Sequence, residues 1–188
     1  MTKNFKYIIL LVGFCYACKP VIEHELVNTD ERLKLVNGVM FFNEAIFNGN
    51  ILSYYKNGVL KSDVQYIDGR KHGYEKQWHT DASLREERYY KNGFKSGIHK
   101  GWWRDKTLKF EYHFNEKGEY EGRVREWYKT GQLFRDFNYV SGKEVGRQRL
   151  WKVDGTIKAN YEVVNQERFG LIGLKKCYTV TVNSDEVN

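Results

Sequence analysis

Apolar and polar residues alternate along several short segments of the chain, and each of these segments predicts a β-strand. In LKFEYHF, residues 108–114, one phase reads Leu-Phe-Tyr-Phe and the other reads Lys-Glu-His. IKANYEV, residues 157–163, and LKSDVQY, residues 60–66, repeat the pattern. A two-residue period with one apolar phase is typical of an antiparallel strand that buries one face. LREERYY, residues 84–90, departs from it because Glu86 and Arg88 fall on the expected apolar side.

Glycine dipeptides separate these strands and predict tight turns. They are Asn37-Gly38, Asn48-Gly49, Asn57-Gly58, Asp68-Gly69, Asn92-Gly93 and Asp154-Gly155. Asn-Gly and Asp-Gly pairs tolerate the positive φ that hairpin turns require. A second set, Gly73, Gly97, Gly122 and Gly146, is predicted to begin the first strand of each hairpin. We expect the missing side chain there to let a neighbouring ring or backbone approach closely.

The strands and turns recur with a period of 24 or 25 residues. Trp78, Trp103, Trp127 and Trp151 are separated by 25, 24 and 24 residues, and Gly49, Gly73, Gly97, Gly122 and Gly146 by 24, 24, 25 and 24. A fixed period of this length is the signature of a repeat array. We therefore predict an all-β fold, an elongated and twisted antiparallel meander of about five β-hairpin repeats of 24 residues.

The repeats divide the chain into four parts. Residues 38–163 hold the hairpin repeats, and residues 18–37 form an N-terminal tether and cap. The segment RLKLVNGVMFF, residues 32–42, predicts an extra hairpin at this end. Residues 164–188 form a C-terminal capping strand and tail, with alternation over residues 178–182 that predicts the closing strand.

Residues 1–17 have the pattern of a signal peptide. Lys3 and Lys6 precede an apolar run that is too short for a transmembrane helix, and Ala17-Cys18 follows it. This order resembles a bacterial lipoprotein signal, although Cys15 and Tyr16 depart from the usual motif. The resemblance implies cleavage before Cys18, a lipid on its sulfur, and attachment to the cell envelope, with the outer membrane favoured. Plain secretion and a Cys-x-x-Cys redox or metal pair are the alternatives, and the second lacks a folded frame.

The repeat segments YVSGKEVGRQRLWKVDGTI, residues 139–157, and YIDGRKHGYEKQWHTDASL, residues 66–84, resemble the MORN-type repeat. The resemblance is specifically to the bacterial variant of this repeat that is labelled a YwqK-family antitoxin. Ala82 replaces the turn glycine, and Lys117-Gly118 shifts the first turn of one repeat. The resemblance covers about residues 38–163 and implies an elongated sheet of stacked hairpins.

Candidate chemistry is sparse along the chain. The histidines, His24, His72, His79, His99 and His113, lack the spacing of a metal site, and no nucleophile, phosphate or dinucleotide motif occurs. Glu75 and Glu126 are carboxylates of the kind found on any charged sheet. Cys177 lies near Arg168, Lys175 and Lys176, which favour a thiolate if it is exposed; a packed hydrophobe is the alternative.

Composition narrows the function further. The formal net charge is +7, but basic and acidic residues are interspersed, which favours a solvated surface over a nucleic-acid groove. We expect a non-enzymatic, membrane-anchored scaffold without cofactor or metal that binds another macromolecule, a protein being favoured. Neutralisation of a partner toxin is the alternative suggested by the antitoxin resemblance, and thiol or metal handling through Cys177 is a third. Trp102, beside Trp103, is the candidate partner contact because it is expected to face away from the core.

Overall fold

The structure is a computed structural model that describes residues 24–173, and every regular element in this range is a β-strand. None of these residues forms a helix that could span a membrane. The strands are β1 (His24–Val27), β2 (Leu33–Val36), β3 (Val39–Phe42), β4 (Ala45–Ile46), β5 (Gly49–Tyr54), β6 (Leu60–Ile67), β7 (Arg70–Trp78), β8 (Leu84–Lys91), β9 (Phe94–Lys95), β10 (Gly97–Trp102), β11 (Leu108–Phe114), β12 (Gly122–Trp127), β13 (Leu133–Val140), β14 (Lys143–Glu144), β15 (Gly146–Trp151), β16 (Ile157–Val164) and β17 (Glu167–Leu171).

One long sheet contains most of these strands in sequence order. From β5 onward the path is β5-β6-β7-β8-β10-β11-β12-β13-β15-β16-β17, with every neighbouring pair antiparallel. The short strands β9 and β14 pair with β8 and β13. With strands about 4.8 Å apart, eleven strands in a row extend the sheet for about 50 Å. The predicted all-β meander of hairpin repeats is confirmed.

The two ends of the sheet differ from its middle. At the start, β1 pairs with β5 in parallel, the one parallel pair among the described strands. The predicted hairpin at residues 32–42 is confirmed as β2 and β3, which join β4 in a separate three-stranded sheet. At the far end, β17 pairs with β16 and was not predicted. The expected closing strand at residues 178–182 lies outside the described residues.

Three of the four connections between repeats are two-residue turns in which both central residues have positive φ, and the fourth, between β11 and β12, is a longer turn over residues 115–119. Asp68 and Gly69 have φ of 50° and 68°, and Asn92 and Gly93 have φ of 52° and 87°. Ser141-Gly142 and Asn165-Gln166 adopt the same left-handed pair without the expected Asn-Gly or Asp-Gly sequence. Asn48-Gly49, in contrast, makes no hairpin turn. The Asn48 Oδ1 instead accepts a hydrogen bond from the backbone N–H of Asp68 at 2.8 Å. This bond joins the segment before β5 to the turn between β6 and β7.

The turn inside each repeat is longer and always carries a β-bulge. The turns span residues 55–59, 79–83, 103–107, 128–132 and 152–156, and each makes the same two backbone hydrogen bonds. One residue of the second strand then has no direct partner on the first strand, and these residues are Lys61, Arg85, Lys109, Phe134 and Lys158. We call them the bulge positions. A bulge reverses the phase of the side chains before it. Simple alternation predicts that Leu108 and Phe110 share a face, but the bulge between them places the two side chains on opposite faces.

The face of the sheet that we call the inner face carries the most buried residues. Its central column is Ile51, Glu75, His99, Val124 and Gln148, all at most 8% exposed. Aromatic rings cover this column from both sides. The His99 ring centroid, for example, lies 5.6 Å from that of Tyr90 and 4.6 Å from that of Phe114. Three of the five residues in the column are polar, so each must find hydrogen bonds within the sheet.

Each polar residue of the inner column has its partners. Glu75 accepts hydrogen bonds from Lys71 and Gln77, both at 2.6 Å, and Arg88 forms an ion pair with Glu86 at 2.6 Å. Gln148 Nε2 donates to the backbone carbonyl of Asn138 at 2.9 Å. These contacts explain why Glu86 and Arg88 can occupy the phase that the alternation assigns to apolar residues.

The opposite face, which we call the polar face, carries a row of alternating charges with one side chain per strand. In cross-strand register the row reads Asp63, Lys76, Glu87, Lys100, Glu111, Arg125, Asp136 and Arg149. Lys76–Glu87 and Lys100–Glu111 are ion pairs at 3.3 Å. Opposite charges across strands stabilise a pair by about 0.2–1 kcal/mol, and like charges destabilise it. A shifted register would break this order, so the row helps to fix the strand alignment.

In the second set of glycines, close approach of a neighbour accounts for Gly73 but not for Gly122 or Gly146. A Cβ at Gly73 would overlap the side-chain oxygen of Gln65. Gly97, Gly122 and Gly146 begin β10, β12 and β15 as predicted, whereas Gly73 lies inside β7. A Cβ at Gly122 or Gly146 would meet no atom within 4 Å, so close approach does not require glycine there. Their φ values of 77° and 61° do, because L-residues with a side chain rarely adopt them.

Candidate binding surface

The two cysteines singled out by the sequence, Cys18 and Cys177, lie outside the described residues, as does the expected signal peptide. Their lipidation and reactivity stay predictions. The histidines that are described include His99, which is buried, and His72, His79 and His113. Within residues 24–173, no group of three or more histidine, cysteine, aspartate or glutamate side chains is placed to hold a metal ion.

The tryptophan series predicted from the sequence is out of register by one residue in the third repeat. Trp78 lies opposite Leu84 and Trp127 opposite Leu133, and the equivalent residue opposite Leu108 is Trp102. Trp103 was therefore placed wrongly in this series. The sequence could not separate the two because repeats of 24 and 25 residues both occur.

The tryptophans of the corrected series lie on the polar face. The guanidinium carbons of Arg125 and Arg149 lie 5.5 Å and 5.2 Å from the ring centroids of Trp127 and Trp151. Trp102 takes the same register position and is half-buried. Its role as a partner contact stays a prediction, and the expectation that it leaves the inner face fits its register.

Trp103 belongs to a second series that links consecutive repeats. Tyr55 donates its hydroxyl to the carbonyl of Trp78 at 2.8 Å, and Tyr128 donates to the carbonyl of Trp151 at 3.1 Å. The indole N–H of Trp103 donates to the carbonyl of Trp127 at 3.3 Å. Because each bond crosses from one repeat to the next, the series contributes to the nearest-neighbour interfaces that hold a repeat array together.

An aromatic pocket of about 440 Å³ opens on the inner face beside Trp103. Its walls are Trp103, Phe110, Tyr112, Tyr128 and Phe134, and Lys109, Glu126, Trp127 and Lys129 complete the lining. We call this set the aromatic pocket. Phe110 stacks on Tyr112 with ring centroids 4.6 Å apart, and Tyr128 meets Phe134 edge to face at 5.1 Å. Its size falls in the range of ligand pockets, and aromatic walls are typical of them.

The pocket forms between the third and fourth repeats because each contributes a residue that differs from its equivalents in the other repeats. In the fourth, Phe134 occupies a bulge position where every other repeat has lysine or arginine. In the third, Gly101 replaces a side chain on β10, the strand that pairs with the strand of Phe110, and a Cβ at Gly101 would overlap the ring of Phe110. The missing side chain therefore lets the Phe110 ring lie across its own hairpin, where it forms one wall. The sequence signal was present in GWW and in Phe134, but it appears only when the bulge positions are aligned.

The only carboxylate in the pocket lining is already engaged. Glu126 Oε1 accepts the hydroxyl of Tyr112 at 2.6 Å and also pairs with the guanidinium of Arg135. Burial and the neighbouring carboxylate raise the pKa of Tyr112 above its ordinary value, so its hydroxyl stays a hydrogen-bond donor. Lys109 lies with its ammonium 4.6 Å from the Trp103 ring centroid, and Lys129 is exposed.

The end of the strands beside the pocket is basic. We call it the turn edge, and it consists of the five turns inside the repeats together with the bulge positions. Its cations are Lys56, Lys61, Arg85, Arg104, Lys106, Lys109, Lys129, Lys152 and Lys158, against the carboxylates Asp81, Asp105 and Asp154. Each of these three aspartates accepts hydrogen bonds from a residue of its own turn, and these bonds hold its pKa below the ordinary value.

No protein-family model matches this chain, and no curated protein matches it.

Proposed function

We propose that this chain is a non-enzymatic repeat scaffold of the MORN type that binds another macromolecule through the aromatic pocket. The observation that carries the proposal is the opening of about 440 Å³ on the inner face, lined mainly by aromatic side chains. Large aromatic residues in a pocket supply most of the affinity at many protein interfaces. The carboxylate in its lining, Glu126, is held by Tyr112 and Arg135.

The experiment compares two substitutions that add the same charge. Phe134→Lys introduces the residue type found at the other bulge positions, so the repeat is expected to tolerate it while the pocket loses a wall. Leu35→Lys adds a lysine at a site that is 66% exposed and lies in the separate three-stranded sheet, outside the pocket lining. After crosslinking in cells, wild type and Leu35→Lys should recover the same partner and Phe134→Lys should not. Recovery by Phe134→Lys, with its melting temperature unchanged, would contradict the proposal.

The proposed location is the bacterial envelope, with the scaffold tethered by a lipid on Cys18. The basic leader, the short apolar run and the Ala17-Cys18 junction support it. Cells fed labelled palmitate should give a labelled protein in the membrane fraction, and Cys18→Ser should release it. An unlabelled wild type in the soluble fraction would refute the tether and leave the binding proposal to the crosslinking experiment.

A further inference from the structure

We infer that the aromatic pocket takes one large apolar side chain of an extended protein segment that carries acidic residues on either side of it. This inference rests on the proposed function and names the partner class. It follows from the walls of the pocket, from its engaged carboxylate and from the cations around its mouth.

The pocket interior favours an apolar occupant. Its walls are aromatic, and the Glu126 carboxylate is hydrogen-bonded to Tyr112 and paired with Arg135. A polar ligand entering the pocket would lose its own hydration and would find little polar surface to replace it. An apolar side chain loses only water contacts, and burying it is favourable by about 25 cal/mol for each Å² removed from water.

The volume points to a single large side chain from a longer chain. A pocket of about 440 Å³ lies at the low end of the range for small-molecule ligands. Its mouth is open along the inner face, where the bulge positions of neighbouring repeats follow each other. An extended segment can therefore lie across the repeats and insert one residue, as in other grooves that read alternate side chains of a peptide.

Charge selects the flanking residues. Lys109 and Lys129 belong to the pocket lining, and Arg104 and Lys106 lie in the adjacent turn. Equivalent positions of neighbouring repeats are two strands apart, about 10 Å, and an extended chain covers this distance in about three residues. Acidic residues three positions before and after the anchor would thus reach the neighbouring turns, which carry Arg104 and Lys106 on one side and Lys152 on the other. Complementary charges of this kind add specificity and speed association.

The test uses a designed peptide and the full chain purified in detergent. The probe is fluorescein-labelled Ser-Glu-Ser-Gly-Phe-Gly-Ser-Glu-Ser, in which both glutamates lie three residues from the phenylalanine. Binding is followed by fluorescence anisotropy at low salt. Replacing the phenylalanine by alanine should weaken binding at least about tenfold, and replacing both glutamates by lysine should weaken it about as much. Phe134→Lys should abolish binding of the original probe, and Leu35→Lys, in the separate three-stranded sheet, should leave it unchanged.

Reversing the charge of Lys129 gives the most specific comparison in this experiment. Lys129→Glu should weaken binding of the glutamate peptide and strengthen binding of the lysine peptide. Equal binding of both peptides to the wild type would overturn the acidic partner, and binding that survives Phe134→Lys would overturn the pocket. Phe134-dependent binding of phenol, or of anionic phospholipid vesicles, in place of the peptide would assign the pocket to a different occupant. Crosslinking in cells that depends on Phe134, together with a peptide result that contradicts the inference, would support the scaffold and show that the partner class is wrong.

Discussion

The indole N–H of Trp103 reaches the backbone carbonyl of Trp127 at 3.3 Å, and so ties the third repeat to the fourth. Tyr55 and Tyr128 make the same link from their own repeats, to Trp78 and Trp151. The residue after the tryptophan position is thus a structural connector in each of these three repeats. Aromatic side chains that look redundant in the sequence, Trp102 and Trp103 above all, have different neighbours and different roles.

Removing one connector should destabilise the array by the value of a single hydrogen bond. Tyr128→Phe keeps the ring and loses the hydroxyl that donates to Trp151, so we expect a loss of about 1 kcal/mol in the free energy of unfolding. Tyr54→Phe is the control because Tyr54 is 47% exposed, and it should change stability by less than about 0.5 kcal/mol. Urea denaturation measures both. Equal losses would mean that the Tyr128 hydroxyl contributes nothing across the repeats.

Two turns inside the repeats carry a side chain at a position that favours glycine. Ala82 and Lys106 have φ of 62° and 68°, whereas the equivalent residues Gly58, Gly131 and Gly155 are glycines at 79°, 82° and 81°. A left-handed residue with a Cβ costs about 1–2 kcal/mol, partly offset by the greater chain entropy of glycine. Ala82→Gly and Lys106→Gly should therefore each stabilise the protein by about 1 kcal/mol in urea denaturation.

The reverse substitution provides the check on these turns. A Cβ at Gly58 or Gly131 would meet no atom within 4 Å, so any cost of Gly131→Ala comes from φ alone. We expect it to destabilise by about 1 kcal/mol. A neutral Gly131→Ala combined with neutral glycine substitutions would show that the turn conformation in solution differs from the one described.

His99 makes stability depend on pH. Burial lowers the pKa of His99 below its ordinary value of 6.5, and Arg88 and Lys95 act in the same direction against the opposing effects of Glu75 and of the hydrogen bond to Tyr89. Between the lowered pKa and 6.5, the unfolded chain binds a proton that the folded chain does not. Stability therefore rises with pH across this window and falls as pH decreases through it.

His99→Gln should remove this dependence and keep the fold. Gln148 shows that glutamine fits the same inner column, because its Nε2 donates to the Asn138 carbonyl at 2.9 Å just as His99 Nε2 donates to the Tyr89 carbonyl at 2.7 Å. Between pH 7.5 and 5.5, urea denaturation should show a smaller loss of stability for His99→Gln than for the wild type. The other histidines are common to both proteins, so parallel curves would mean that His99 titrates normally.

Trp102 distinguishes the two faces as partner surfaces. It lies opposite Leu108 and is half-buried, so Trp102→Ala should lower the free energy of unfolding by about 2 kcal/mol. Partner capture, measured where the variant is folded, should persist if the contact is the aromatic pocket. Loss of capture in a folded Trp102→Ala protein would move the contact to the polar face.

The repeat period and the alternation predict the sheet because they report local strand and turn chemistry. They fail where a single residue shifts the phase. Each bulge adds one residue after the turn, so Leu108 and Phe110 separate onto different faces, and the doubled tryptophans cannot be assigned without the register.

The pocket was missed for the same reason. It depends on Phe134 and on Gly101, which makes room for the Phe110 ring. Both residues look ordinary in their own segments, and their effect on the pocket appears only once the strands are paired. Buried polar residues such as Gln148 were missed because their partners come from the preceding strand.

The proposed contact is tested most directly by site-specific photocrosslinking in cells. Lys129 lines the pocket, and Leu35 lies in the separate three-stranded sheet and is 66% exposed. A photoreactive residue at 129 should crosslink to a macromolecular partner, whereas the same residue at 35 should give no such product. Equal crosslinking at both positions, or a product from 35 alone, would contradict a scaffold that binds through the aromatic pocket.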